Sequence, residues 1–325
     1  EGSSVEHDLK PCFIFLLDAM NRLSIFFLFS LLFTSAAPAA PPDTTMADRM
    51  DAVAPELLDR FRVPGAAVAV IRNGEVVHDR GYGLADAEAH VPMTGQTVLN
   101  VASVAKPVAA WGVMKLVEDG QVQLDAPVDR YLERLQITSD SFDVDGVTVR
   151  RLLSHTSGLS RGSYPGYLPG TEVPDLVSTL RGDVSPLASS GMIHEARLVQ
   201  APGSKQAYSG TAYAVLEVMI EDVTGQSFPA YMHEAVFAPL GMHRSAFGWP
   251  DSIRQHAATP HNLWADTSPI RRFTGDAWGN LNTTAPDLGR WLAAAVEGPL
   301  GPRGRGVLSP GTVDSMLTVT RGKFG

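Results

Sequence analysis

The sequence predicts an α+β fold of the α/β class, with a central antiparallel sheet flanked by helices and joined to a mainly helical region. Three observations carry that prediction. Residues 65–80 alternate with period two around Asn73-Gly74, the signature of a hairpin closed by a tight turn with two positive φ angles. From residue 103 onward the apolar spacing changes to the helical period in several segments. The chain has 325 residues, of which 44% are hydrophobic and 19% charged, a globular composition long enough to bury a large core.

In chain order, the first forty residues stand apart from the fold. Asn21-Arg22 after Met20, the apolar run 23–33 and Ser35-Ala36-Ala37-Pro38-Ala39 have the layout of a basic n-region, an h-region and a small-residue cleavage site. Residues 1–40 are therefore expected to be an extension and signal peptide, and 41–325 the folded domain. The apolar run is well short of the roughly 20 residues a spanning helix needs, so no stable membrane span is expected after cleavage. The expected destination is the periplasm or the exterior. Cys12, the one cysteine, lies in this leader, which excludes an internal disulfide framework or a cysteine-rich metal site.

The spacing of Met50, Val53, Leu57, Leu58 and Phe61 predicts a helix over 46–61 that stops before Pro64 and flanks the sheet. The hairpin 65–80 follows. A long helix is expected over 103–118, with Val104, Val108, Val113, Met114 and Val117 among its apolar positions and Gly120 as its stop. Further helices are expected at 148–153, 211–223, 228–237 and 285–296, giving a mainly helical region over roughly 97–296. Residues 160–202 carry Pro165, Pro169, Pro174, Pro186 and Pro202 without sustained periodicity, and are expected to make a long surface excursion of the kind that rims a binding site.

Charge narrows the partners. With 35 acidic against 26 basic side chains, a net charge of −9 and no basic block, neither a nucleic-acid partner nor polybasic membrane adsorption is expected. Gly158-Leu159-Ser160-Arg161-Gly162 imitates a nucleophile elbow, but polar residues precede it where a strand is required and Pro165 and Pro169 follow where a helix is required. Gly81-Tyr82-Gly83 is better read as a turn than as a dinucleotide loop, because Asp86 stands where the third glycine belongs. His233-Glu234 lacks the second histidine of a zinc-protease helix, and His256, His261 and Asp266 lack a recognised ligand spacing, so no metal or other cofactor is expected.

Ser103-Val104-Ala105-Lys106 carries chemistry by its context. Ser103 follows the β-like stretch 98–101 and opens the long helix, near unpaired amides and the positive end of the helix dipole. Lys106 lies three residues on, on the same face, where an apolar surround would lower its pKa towards neutrality. A serine becomes a nucleophile only when a neighbouring base takes its proton; an N-cap serine beside a solvated lysine is the competing reading.

These residues resemble the serine β-lactamase and penicillin-binding-protein superfamily, in its class C β-lactamase, DD-peptidase and esterase branch. The resemblance runs from about Val63 to Leu317. It includes Val63-Pro64-Gly65, Gly81-Tyr82-Gly83-Leu84, the Ser103 tetrapeptide, the stretch Leu152-Leu153-Ser154-His155-Thr156-Ser157-Gly158-Leu159, Tyr208-Ser209-Gly210, Pro239-Leu240-Gly241-Met242 and Thr283-Thr284-Ala285-Pro286-Asp287-Leu288. It implies a β-lactamase/transpeptidase-like fold, with Ser103 as nucleophile, Lys106 as its activator and Tyr208 as the tyrosine of the second motif. The implied reaction is acyl transfer through an acyl-serine on a small-molecule or peptide substrate: an ester, a β-lactam or a D-alanyl peptide.

Two departures shade that expectation. The second motif commonly ends in asparagine, but Gly210 stands there, which favours simple esters slightly over lactams and peptides. The third motif, Lys-Thr-Gly or His-x-Gly on a core strand, is imitated only by Lys323-Phe324-Gly325, after a Met316-Leu317 that resembles the strand before that motif. The chain is therefore expected to lack the final strands of the sheet domain. A non-catalytic or degenerate homologue that holds penicillin or cell-wall peptide is the alternative.

Overall fold

The computed structural model describes residues 45–162, 166–184, 195–262 and 266–318. The signal-peptide reading of 1–40 and the tripeptide at 323–325 lie outside the described residues. By its contacts the chain divides into Glu1–Arg49 and Met50–Gly325. Of the first unit 45–49 are described, where Thr45 and Asp48 exchange backbone-to-side-chain hydrogen bonds of 2.9 and 3.2 Å in the manner of a capping box.

The expected α+β architecture is present, built on small antiparallel sheets. Helix α1 (Met46–Phe61) precedes strands β1 (Gly65–Arg72) and β2 (Glu75–Asp86), which pair antiparallel from Gly65↔Gly83 to Arg72↔Glu75. Asn73 and Gly74, at φ 52° and 74°, supply the two left-handed residues the turn demands. Strand β3 (Val91–Pro92) completes the order β1-β2-β3.

The expected turn at Gly81-Tyr82-Gly83 is corrected: these residues continue β2, beyond the Arg80 end expected from period alone. They are glycines because neighbouring backbone crowds them. A Cβ on Gly81 would come within 2.4 Å of Met93 backbone atoms, and one on Gly83 within 2.3 Å of the Pro64 carbonyl oxygen.

Beyond the hairpin lie β4 (Leu99–Asn100), α2 (Ala105–Glu118), α3 (Val149–Leu153), α4 (Leu176–Arg181), α5 (Gly210–Thr224) and α6 (Phe228–Met232). These are followed by β5 (Ala246–Phe247), α7 (Asp251–Arg254), β6 (Leu281–Thr283), α8 (Ala285–Ala294) and α9 (Pro310–Leu317). The region 97–296 is thus not helical throughout: β4, β6 and β5 form a second antiparallel sheet in that order. Strands of two or three residues leave no period to read. Met316-Leu317, expected to resemble a strand, close helix α9 instead. Ser309 caps that helix by accepting from the Thr312 N–H, and Pro310 occupies its first turn.

Helices α2 and α5 form the centre of the core. Ten residues of α2 and eleven of α5 are buried, α5 on every side, as suits a helix walled in by others. Trp111 of α2 meets Trp291 of α8 edge-to-face at 6.1 Å. The helix lying flat on the hairpin is α8, where Gly289 lets Val76 and Ala69 approach closely. Helix α1 buries no residue and reaches the sheet through Asp51, which binds Arg80 at 2.5 Å and the Tyr82 hydroxyl at 2.9 Å.

Candidate active site

The second sheet positions the site. Pairing of Leu99 with Thr283 and Asn100 with Asn282 brings the residues leaving β4 beside those entering β6. The three sequence-singled residues Ser103, Lys106 and Tyr208 meet at this point. Ser103 lies in a 3-10 turn over Ala102–Val104 that runs into α2. Ala102, just before it, is left-handed at φ 46°, a costly conformation for a residue with a Cβ. Asn100 holds it there. Its Oδ1 accepts from the Ala102 N–H at 3.1 Å while its Nδ2 donates to Asn282 Oδ1 at 2.9 Å and to the Gly279 carbonyl at 3.3 Å. The turn, the strand end and the 279–282 segment are one hydrogen-bonded unit.

Two polar atoms converge on the Ser103 hydroxyl. Tyr208 OH donates to Oγ at 2.7 Å and Lys106 Nζ at 3.2 Å. Lys106 is 5% exposed, and Nζ also donates to the Trp278 carbonyl. The ammonium faces the Tyr208 ring at 4.9 Å and the Tyr213 ring at 5.8 Å. Burial lowers the Lys106 pKa to about 8, so a neutral amine exists near physiological pH. Burial moves Tyr208 the other way, upward, opposed by its bond to Ser103; the phenol stays protonated in the neutral range.

His155 supports Tyr208 from beneath. Their rings lie 4.5 Å apart, the His155 carbonyl accepts from Ala207 N–H at 2.8 Å, and Nδ1 accepts from Ser209 N–H at 3.2 Å. His155 is itself left-handed at φ 57°. Burial, aided by the Lys106 charge, pulls its pKa down to about 4, which keeps the ring neutral and Nδ1 free to accept. The sequence displayed His155 inside the 152–159 stretch but gave it no task, because its backbone clamp on both neighbours of Tyr208 depends on a contact across the fold. His155→Ala is expected to lower kcat on the order of 10²-fold with little change in KM, since a misplacement of about 1 Å has that effect. Steady-state kinetics beside a far-UV melt will separate this from unfolding.

The segment carrying the Trp278 carbonyl is pinned from α5. Glu217 is buried, and its Oε2 accepts from the N–H groups of Asp276 and Ala277 at 2.7 and 2.8 Å. Burial, reinforced by nearby Asp276, raises its pKa well above the carboxylate range. Glu217 is the single acid in the apolar stretch 212–220 of α5, a signal by which the sequence could have shown it; a main-chain acceptor such as the Trp278 carbonyl leaves none.

Gly210 has a structural reason. A Cβ there would approach the Gly162 carbonyl oxygen to 2.4 Å, and Trp278 Cε3 to 3.2 Å. Its N–H donates to the Arg161 carbonyl at 2.7 Å. The lysine partner that an asparagine could have supplied is supplied by the Trp278 carbonyl. Ser160, the imitation elbow, is 2% exposed and donates to the Glu195 carbonyl at 2.6 Å, while its own carbonyl accepts from Ser209 Oγ at 2.6 Å. It braces the start of α5 through Ser209 and Thr211. His256, His261 and Asp266 form no metal-holding group, and none of three or more such side chains occurs among the described residues.

Ser103, Lys106, Tyr208 and Gly210 line an open pocket of about 240 Å³, whose wall also includes Asn100, Phe273, Trp278 and Gly279. The Ser103 amide N–H has no hydrogen-bond partner among the described residues.

The chain is similar to known proteins in sequence and in fold. The family model described as Beta-lactamase matches residues 50–324. Over 212 residues the chain is 38% identical to Esterase EstB of Burkholderia gladioli, covering 62% of this chain and 52% of that protein. It is 23% identical over 255 residues to Protein flp of Staphylococcus aureus strain N315, covering 77% and 49%. The chain thus spans about half the length of these curated relatives. Among solved structures, the octameric penicillin-binding protein homologue from Pyrococcus abyssi aligns with a TM-score of 0.69 at 26% identity, over 84% of this chain and 60% of that one. EstCE1, a hydrolase with promiscuous acyltransferase activity, aligns with a TM-score of 0.62 at 25% identity, over 82% and 75%.

Proposed function

The chain belongs to the Beta-lactamase family, and from that premise we propose that it is an exported serine hydrolase that forms an acyl-enzyme at Ser103, preferring small esters to β-lactams and D-alanyl peptides. The observation that carries this reading is the convergence of Tyr208 OH and Lys106 Nζ on one serine oxygen at the wall of an open pocket.

The electrostatics support one division of roles. Neutral Lys106 keeps an N–H on the Trp278 carbonyl and turns its lone pair to the Ser103 hydroxyl. As Oγ adds to the substrate carbonyl, the Ser103 proton passes to Nζ, and the Ser103 N–H faces the developing oxyanion. Tyr208, still protonated, gives its hydrogen bond to Oγ and then to the departing alkoxide. The alkoxide leaves as the alcohol with the proton returned through Tyr208 from Lys106. Water repeats the sequence in reverse on the acyl-serine. Ester cleavage suits a pocket in which residue 210 offers no side-chain amide to a second carbonyl.

The experiment compares p-nitrophenyl acetate and butyrate, a chromogenic cephalosporin and a D-alanyl-D-alanine peptide on the same preparation. Ester turnover exceeding that of the other two is expected. Stoichiometric labelling of Ser103 without turnover of any of them would instead make the protein a binding homologue. Because Lys106 must be neutral to act as base, kcat/KM for the ester is expected to rise with pH through an apparent pKa of about 8 and to fall about tenfold per unit well below it. A profile flat between pH 6 and 9 would remove Lys106 from the role of base.

A further inference from the structure

A second pocket of about 420 Å³ adjoins the first, with Phe273 lining both. The segment 276–280 divides them: Trp278 and Gly279 face the Ser103 side, Asp276 and Asn280 the other. Pro169, Gly170, Gly248, Trp249 and Ile270 give the second pocket an apolar wall, and its charged members are Arg254, Arg272 and Asp276. Gly248, left-handed at φ 76°, keeps the wall low beside the Asp276 carboxyl.

These charges are unequally engaged. Arg272 donates to the Thr171 carbonyl and so holds the rim loop that carries Pro169 and Gly170. Asp276 Oδ1 accepts from Asn280 Nδ2 at 2.6 Å. Arg254, at the end of α7, has no ion pair or side-chain hydrogen bond among the described residues, and it does not pair with Asp276 although both line the same pocket. Two cations against one carboxylate make this pocket locally positive on a chain of net charge −9. An isolated guanidinium above an apolar wall, next to an acyl-transfer site, matches a flexible chain that ends in an anion.

Resting on the serine-hydrolase reading above, we propose that this pocket is a specificity subsite for a carboxylate at the non-reacting end of the substrate, with Arg254 as its cationic partner and Asp276 as the group that limits its affinity. Burial holds the Asp276 pKa up to about 6, so at pH 8 its carboxylate is charged and opposes the incoming anion.

The test is a ratio at pH 8: kcat/KM for mono-p-nitrophenyl glutarate over that for p-nitrophenyl pentanoate. Arg254→Gln is expected to lower the ratio about three- to fivefold, the range open to an exposed charge pair, with the neutral ester unchanged. Asp276→Asn, which can still accept from Asn280, is expected to raise it about twofold or more. A ratio unmoved by Arg254→Gln, an equal fall for both esters, or a wild-type preference for a cationic choline ester would overturn the proposal. A second arm needs no turnover: monomethyl glutarate titrated into Ser103→Ala should bind more tightly than into Ser103→Ala/Arg254→Gln. Equal binding would overturn the subsite, whereas failure of wild-type protein to cleave either ester while that binding difference persists would overturn the hydrolase reading alone.

Discussion

Ser103→Ala is expected to lower ester turnover by roughly 10⁵-fold, the scale on which removing a serine nucleophile acts, and to abolish covalent labelling by a fluorophosphonate. The fold should survive. Ser103 is half-buried in a turn whose shape is set by Asn100 and by pairing of β4 with β6, not by the hydroxyl. Loss of two hydrogen bonds to Oγ is offset in part by solvation of Tyr208, so stability should change by about 1 kcal/mol or less. Mass spectrometry of the labelled wild-type protein should place the adduct on the peptide containing Ser103. An adduct on Ser160, or undiminished labelling in Ser103→Ala, would overturn the assignment. The geometry opposes the first outcome, since the Ser160 hydroxyl is committed to the Glu195 carbonyl and shielded from solvent.

Why the sequence revealed some of this and hid the rest follows from the range of the interactions. The hairpin was legible because Asn73-Gly74 acts on its own neighbours, and α2 because its apolar spacing is local. The glycines at 81 and 83 read as a turn in sequence because what requires them, the close backbones of Met93 just after β3 and Pro64 just before β1, lies elsewhere in the chain. Strands β5 and β6 escaped for a related reason. Each pairs over two or three residues, and the register that makes them a sheet joins segments far apart in the chain.

The site divides along the same line. Ser103 and Lys106 are three residues apart, so one helical turn explains their meeting. Tyr208 rested on resemblance, and the fold brings it to Ser103 by the clamp of His155 on Ala207 and Ser209. Gly210 invited a reading by subtraction, as an absent amide. Its surroundings show a positive requirement instead, a backbone oxygen where a Cβ would go. The carbonyl of Trp278, which sets the lysine, belongs to a class of functional group that no residue name reveals.

Lys106 and Tyr208 are expected to act as one proton-transfer unit. Each contacts the same Oγ and the ammonium lies over the phenol ring, and in the proposed mechanism the proton that Lys106 takes from Ser103 returns to the leaving group through Tyr208. If that is the route, breaking it at either point stops the same transfer. Tyr208→Phe and Lys106→Met should each reduce the acylation rate by about 10²–10⁴-fold, the range for a positioned acid or base. The double variant should lose little more than the worse of the two, within about threefold, as residues acting together do. Methionine is the useful replacement because it fills most of the buried lysine volume, whereas alanine would add a cavity beneath the site. The measurement is the single-turnover acylation rate with p-nitrophenyl butyrate, read from the burst of nitrophenolate. Losses that multiply in the double variant would mean independent roles: Tyr208 would then stabilise charge without carrying the proton, and the leaving group would have to be protonated from Lys106 directly or from water.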